Sequence, residues 1–270
     1  MAIQKGIIKL RGKVGDQVFY NEGGKDRVRS KAKSYTLSEG SKKSGKNFAY
    51  VSGLGARIRS AFAPILDLVG DKRIIYRLNG KLVDVLQTVA ANDEGERKLA
   101  GSNLGLLQHL EFNGDCALKN LMHVLPQVNI VTSNLVISLT NGQIPFLFGA
   151  PKGANTLNLK IVLCALALDG SDDEVQQGKL LHIPLSETYF AGKRLELPLP
   201  QQGAYALVLG ISIGFMEGNY RLMSIDSKAG SILYACQITD GVLAPYVDET
   251  ANEAPESPTD TDEGLDWDIL

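Results

Sequence analysis

The sequence lacks an uninterrupted apolar stretch long enough to cross a bilayer; its greasiest runs, Ile161 to Leu168 and Tyr205 to Ile213, have the length of strands. Its first residues, MAIQKGIIKLRGKVG, put lysine and arginine inside a short apolar run with no small-residue cleavage pattern behind it. They do not read as a secretion signal, so a cytoplasmic protein without membrane partners is expected. Cysteine is scarce: Cys116, Cys164 and Cys236 are odd in number and widely spaced, which leaves neither a disulfide framework nor a CxxC metal pair and reads as buried thiols. Histidine is scarce too. His109, His123 and His182 have no second ligand at metal spacing, and neither a GxxxxGK[ST] loop nor a GxSxG elbow occurs. Gly53-Leu54-Gly55 falls inside a helical pattern rather than after a strand, where close helix packing explains it better than a dinucleotide. Asp172-Asp173-Glu174 lacks the spacing of a calcium loop and reads as a solvated turn. No cofactor, no metal site and no enzymatic activity are expected.

What is present is an uneven charge layout. The net charge is only −2, yet residues 1–60 hold 14 Lys and Arg against 4 Asp and Glu, whereas residues 248–270 hold 9 acidic residues and no basic one. The share of glycine, 28 residues, and of aromatics, 7%, favours many short strands and turns over a helical bundle.

Along the chain, Gly6 to Arg11, Gln17 to Tyr20 and Arg27 to Lys31 read as short strands separated by turns at Gly12 to Asp16 and at Asn21 to Gly24, giving a basic β-hairpin or small meander. From Ser38 the apolar spacing becomes three and four, through Phe48, Val51, Leu54, Ile58, Phe62 and Ile65, until Pro64 interrupts it. A second helix is predicted over about 71–91 on the stripe Ile75, Leu78, Leu82, Val85 and Val89, packed on the first as a hairpin, and a short third helix near Ser102 to Gln108. Beyond about residue 126 strand signals recur with turn residues between them, which predicts an antiparallel immunoglobulin-like β-sandwich. The expected class is therefore α+β. Residues 1–125 form the basic hairpin plus helices, 126–247 the sandwich, and 248–270 an acidic tail too polar to fold alone.

The opening Gln4 to Gly12, with Gly15-Asp16 and Val18-Phe19-Tyr20, resembles a widespread uncharacterised family of Bacteroidota proteins. The resemblance continues through Phe48, Gly55 and Arg59, Arg77-Leu78 and Leu110-Glu111-Phe112-Asn113. It implies a shared organisation of the first half and supplies no active site.

Two binding readings follow. Lys25, Arg27, Arg29, Lys31 and Lys33 stand at alternate positions, so an extended strand points them to one face, with Phe19 and Tyr20 on the adjoining strand; that suits nucleic-acid backbone. The tail ends in Leu265, Trp267, Ile269 and Leu270 interleaved with Asp266 and Asp268, the pattern of a docking peptide. A basic arm on one copy and an acidic tail on the next would make a heterologous contact that propagates unless it closes into a ring. The expected function is accordingly a non-enzymatic, self-assembling structural protein, a filament or lattice subunit whose partner is itself, with nucleic-acid binding through the basic hairpin as the alternative. A tail folded back on its own chain is the plain competitor.

Overall fold

A computed structural model describes residues 2–5, 9–31, 36–69, 71–170, 172–178 and 180–247. The α+β class expected from the sequence is observed. The chain divides into two compact units, Met1–Lys42 and Lys43 onward.

The first unit is an antiparallel sheet of four strands, β1 (Ala2–Ile3), β2 (Gly12–Val14), β3 (Gln17–Glu22) and β4 (Lys25–Ser30), in the order β1-β4-β3-β2. Gly12 to Asp16 was expected to be a turn throughout. Instead residues 12–14 pair with β3, and the turn narrows to Gly15 and Asp16, where Gly15 takes φ +57°. The next hairpin closes at Gly23 and Gly24, both at positive φ. Gln4 is tied to Leu10 twice: its side chain donates to the Leu10 carbonyl at 3.2 Å and accepts from the Leu10 N–H at 2.9 Å.

Helix α1 (Glu39–Ala61) starts in the last residues of the first unit, where Ser38 Oγ accepts from the Ser41 N–H at 3.2 Å, and in the second unit it buries Val51, Leu54 and Ile58. It ends one residue before Phe62, and α2 (Ala63–Val69) resumes with Pro64 in its first turn, where the missing N–H costs nothing. Helix α3 (Ile74–Gln87) buries Ile74, Leu78, Leu82, Val85 and Leu86; Ile75, expected in the stripe, is exposed because the stripe begins one residue earlier. The third helix shrinks to a 3₁₀ turn, Leu104–Leu107, followed by α4 (Leu118–Leu121).

The strands then run β5 (Gln127–Val131), β6 (Asn134–Leu139), β7 (Gly142–Gln143), a helical turn α5 (Ile144–Leu147), β8 (Thr156–Ala167), β9 (Glu174–Gln177), β10 (Leu181–Pro184), β11 (Tyr189–Phe190), β12 (Lys193–Pro198), β13 (Ala204–Glu217), β14 (Tyr220–Arg221), β15 (Lys228–Thr239) and β16 (Val242–Ala244). The main sheet has the order β10-β8-β13-β15-β16, with β9 on β8 and β14 on β13; a smaller sheet has the order β12-β6-β5, and β7 pairs with β11. Every pairing of these strands is antiparallel.

Alternation sorts the central strands into two cores. Leu157, Leu159, Ile161 and Leu163 pack with Leu135, Ile137, Leu139 and Leu197 of the smaller sheet. Val162, Cys164, Leu166, Ala206 and Val208 pack with the helices. A sheet covered on both faces needs apolar residues at consecutive positions, which is why β8 and β13 read as unbroken greasy runs. It also bears on the boundary expected at residue 125, because the helices share a core with the strands that follow that position. Among the described residues no helix is long and apolar enough to cross a membrane.

Candidate functional site

The basic row is on the first unit. Register pairs Val18 with Arg29, Tyr20 with Arg27, Glu22 with Lys25 and Lys13 with Val18, so Lys13, Lys25, Arg27 and Arg29 share a face with Tyr20. Phe19 pairs with Val28 and belongs to the opposite face. The Arg29 guanidinium lies 5.7 Å from the Tyr20 ring centre. Part of the charge is already balanced: Arg27 Nε is 3.0 Å from a Glu22 carboxylate oxygen, and Arg11 approaches Asp26 at 4.0 Å. Lys31 follows β4 and is exposed. Lys33, Leu265, Trp267, Ile269 and Leu270 lie outside the described residues.

Among the described residues up to Lys42 not one is buried, and Phe19 and Val28 are only half-buried. Four short strands with both faces accessible to solvent are marginal in water by themselves.

Several ionisable side chains of the second unit are engaged in structure. Asp173, expected in a solvated turn, accepts from Arg57 Nε at 2.7 Å and from the Ala167 N–H at 3.0 Å, which ties α1 to the β8–β9 connection. The Arg57 guanidinium holds its carboxyl below the usual range, against the opposing effect of burial. Burial pushes the Glu111 carboxyl up, although it accepts from the Leu118 N–H at 3.0 Å as α4 begins. Burial likewise raises the thiols, Cys164 to about 12 and Cys236 to about 11, with Cys116 also raised. They are unsuited to nucleophilic work near neutral pH. All three histidines are exposed, and no group of three metal-ligating side chains occurs among the described residues.

One feature was not legible in the sequence. A cleft of about 840 Å³ opens between the start of α3, the 113–115 loop and the start of β15. Arg77 braces its base by donating to the Asp71 carboxylate and to the Glu111 and Phe112 carbonyls, the latter two at 3.1 Å. Asp71 also accepts from the Arg73 and Gly114 N–H groups. Burial raises its pKa, but these three donors together bring it below the ordinary value. Buried Asn113 fixes the far wall by donating to the Ile225 and Lys228 carbonyls at 3.2 and 2.8 Å. Lys72, Arg73 and Lys228 line the opening, which converges from segments more than 150 residues apart.

Compared with protein-family models, curated proteins and solved structures, the chain finds no match.

Proposed function

We propose that the chain is a non-enzymatic structural protein of the cytoplasm that assembles with copies of itself, using the basic N-terminal sheet and the acidic C-terminal tail as contacts between copies. The observation that carries this reading is a sheet with no buried residue among those described. A polypeptide orders such a sheet at an entropic cost that its own contacts do not offset, so a partner surface completes it. The same chain provides charge of the opposite sign at its other end, 9 acidic residues within 248–270. In this reading the second unit, with an immunoglobulin-like sandwich at its centre, is the rigid body that carries the contacts.

Light scattering on the full-length chain, over a range of concentration and salt, tests it. Mass should rise with concentration in wild type and fall back toward the monomer in Trp267→Ala. A wild-type monomer at every concentration removes the reading.

The shared face of Lys13, Lys25, Arg27, Arg29 and Tyr20 favours a second reading, in which the partner is single-stranded nucleic acid. Anisotropy of a labelled oligonucleotide at low salt tests it, and the absence of saturable binding there removes it.

A further inference from the structure

We propose that the cleft between α3 and β15 is the receptor for the C-terminal tip, residues 265–270, of a neighbouring copy; the identification of the neighbour rests on the assembly reading. The lining groups Lys72, Arg73, Arg77 and Lys228 outnumber Asp71 and Asp115 by two charges, and Asp71 is already committed to Arg77. Among the described residues Lys72, Arg73 and Lys228 form no ion pair and make no side-chain hydrogen bond. Beside these cations stand large apolar side chains facing water, with Tyr76 79% and Ile225 59% exposed. A cleft that offers unpaired cations next to exposed apolar surface matches a ligand that alternates carboxylates with large apolar groups.

The tip Leu265-Asp266-Trp267-Asp268-Ile269-Leu270 has that alternation. In an extended peptide Leu265, Trp267 and Ile269 share one face while Asp266 and Asp268 share the other, so one pose can lay the first set on Tyr76 and Ile225 and the second on Arg73 and Lys228. Polynucleotide would use the cations but leave Ile225 unmatched. The described residues of the first unit bury no side chain, and among them no walled groove is formed for the tip. The tip and the acidic run before it therefore have separate tasks: the run complements the basic sheet, and the tip supplies the anchors.

The test uses full-length chain carrying Trp267→Ala as receptor and a fluorescein-labelled synthetic peptide of residues 258–270 as probe. Saturable anisotropy is expected, weakened at least tenfold by Arg73→Glu with Lys228→Glu. The exposed-site variant Tyr76→Ala, which leaves folding intact, should weaken it several-fold, and so should Trp267→Ala in the peptide. Absent binding, or binding indifferent to all of these cleft substitutions, overturns the proposal. An oligonucleotide that binds, loses affinity on the same substitutions and is not displaced by the peptide also overturns it. Light scattering on the otherwise wild-type chain separates the two readings. Assembly that survives Arg73→Glu with Lys228→Glu rejects the cleft and keeps assembly; peptide binding at the cleft by a chain that stays monomeric keeps the cleft and rejects assembly.

Discussion

Gly55 on α1 faces Asn79 on α3 so closely that a Cβ at position 55 would run into Asn79 Oδ1, with Arg59 Nη1 only 3.1 Å from it. Gly53, two residues earlier and on another side of the same helix, has nothing within 4 Å of the corresponding position. The two glycines therefore answer to different demands. Gly55→Ala should lower stability by about 1–3 kcal/mol through overpacking against a short side chain. Gly53→Ala should raise it by about 1 kcal/mol, because alanine gains helix propensity and meets no obstacle. Thermal unfolding of the two variants checks this; opposite signs are expected, and equal shifts would show that α1 and α3 do not meet at Gly55.

A second expectation concerns acid. Asp173 has a folded-state pKa depressed by Arg57, so its stabilising contribution is complete above the unfolded value of about 4 and is lost as pH falls through the lower folded value. Because the Arg57 side chain is 37% exposed, solvent screening limits the pair to about 1 kcal/mol, or about 2–4 °C at this chain length. Asp173→Asn should show that deficit at pH 7, and the gap from wild type should close as pH is lowered below about 4. A gap independent of pH would mean that the carboxylate is not ion-paired.

The thiols give a third. With Cys164 at about 12 and Cys236 at about 11, the thiolate fraction at pH 8 is about one part in ten thousand and one in a thousand. Titration with a disulfide reagent at pH 8 should therefore leave both unreacted in the native protein and label them on addition of denaturant. Immediate labelling of Cys164 would contradict its place between helices and sheet.

How much of this was legible depended on how far apart the cooperating residues lie. Strands β8, β13 and β15 were readable because their apolar runs and the intervening glycine turns are local signals. The first two helices were readable in position but not in detail. Phe48 fitted the apolar spacing of α1 yet is 60% exposed, since periodicity does not say where the core ends. Strands β7 and β11 have two residues each, too few for any pattern, and the strand signal from Tyr220 to Ile225 shrinks to β14 at its first two residues. The alternation Lys25, Arg27, Arg29 placed three cations on one face correctly, but Lys13 joins them only through register with Val18. The cleft was hidden for the same reason: Arg73 and Lys228 come to line one cleft only through the fold, and nothing near either in sequence marks them. Likewise Asp173 looked like a solvated turn because its partner, Arg57, is 116 residues away.

The two candidate partners of the basic sheet make different demands on its cations. Arg27→Glu, Arg29→Glu and Lys31→Glu together reverse the face that carries Tyr20 while leaving Phe19 and Val28 on the opposite face untouched. If the partner is the acidic run of another copy, exposed ion pairs supply about 0–1 kcal/mol each and act mainly on encounter. The triple variant should then assemble more slowly, with little change in the rate at which formed assemblies dissociate, and raised salt should slow wild type in the same way. If the partner is nucleic acid, the same change should weaken binding to every sequence alike. It should also flatten the dependence of log affinity on log salt by about 0.7 for each phosphate of a single strand that the variant no longer neutralises. Stopped-flow light scattering and oligonucleotide anisotropy on one preparation distinguish them. An altered dissociation rate with unchanged association would contradict both, because it would place these cations in a buried interface instead of on an open face.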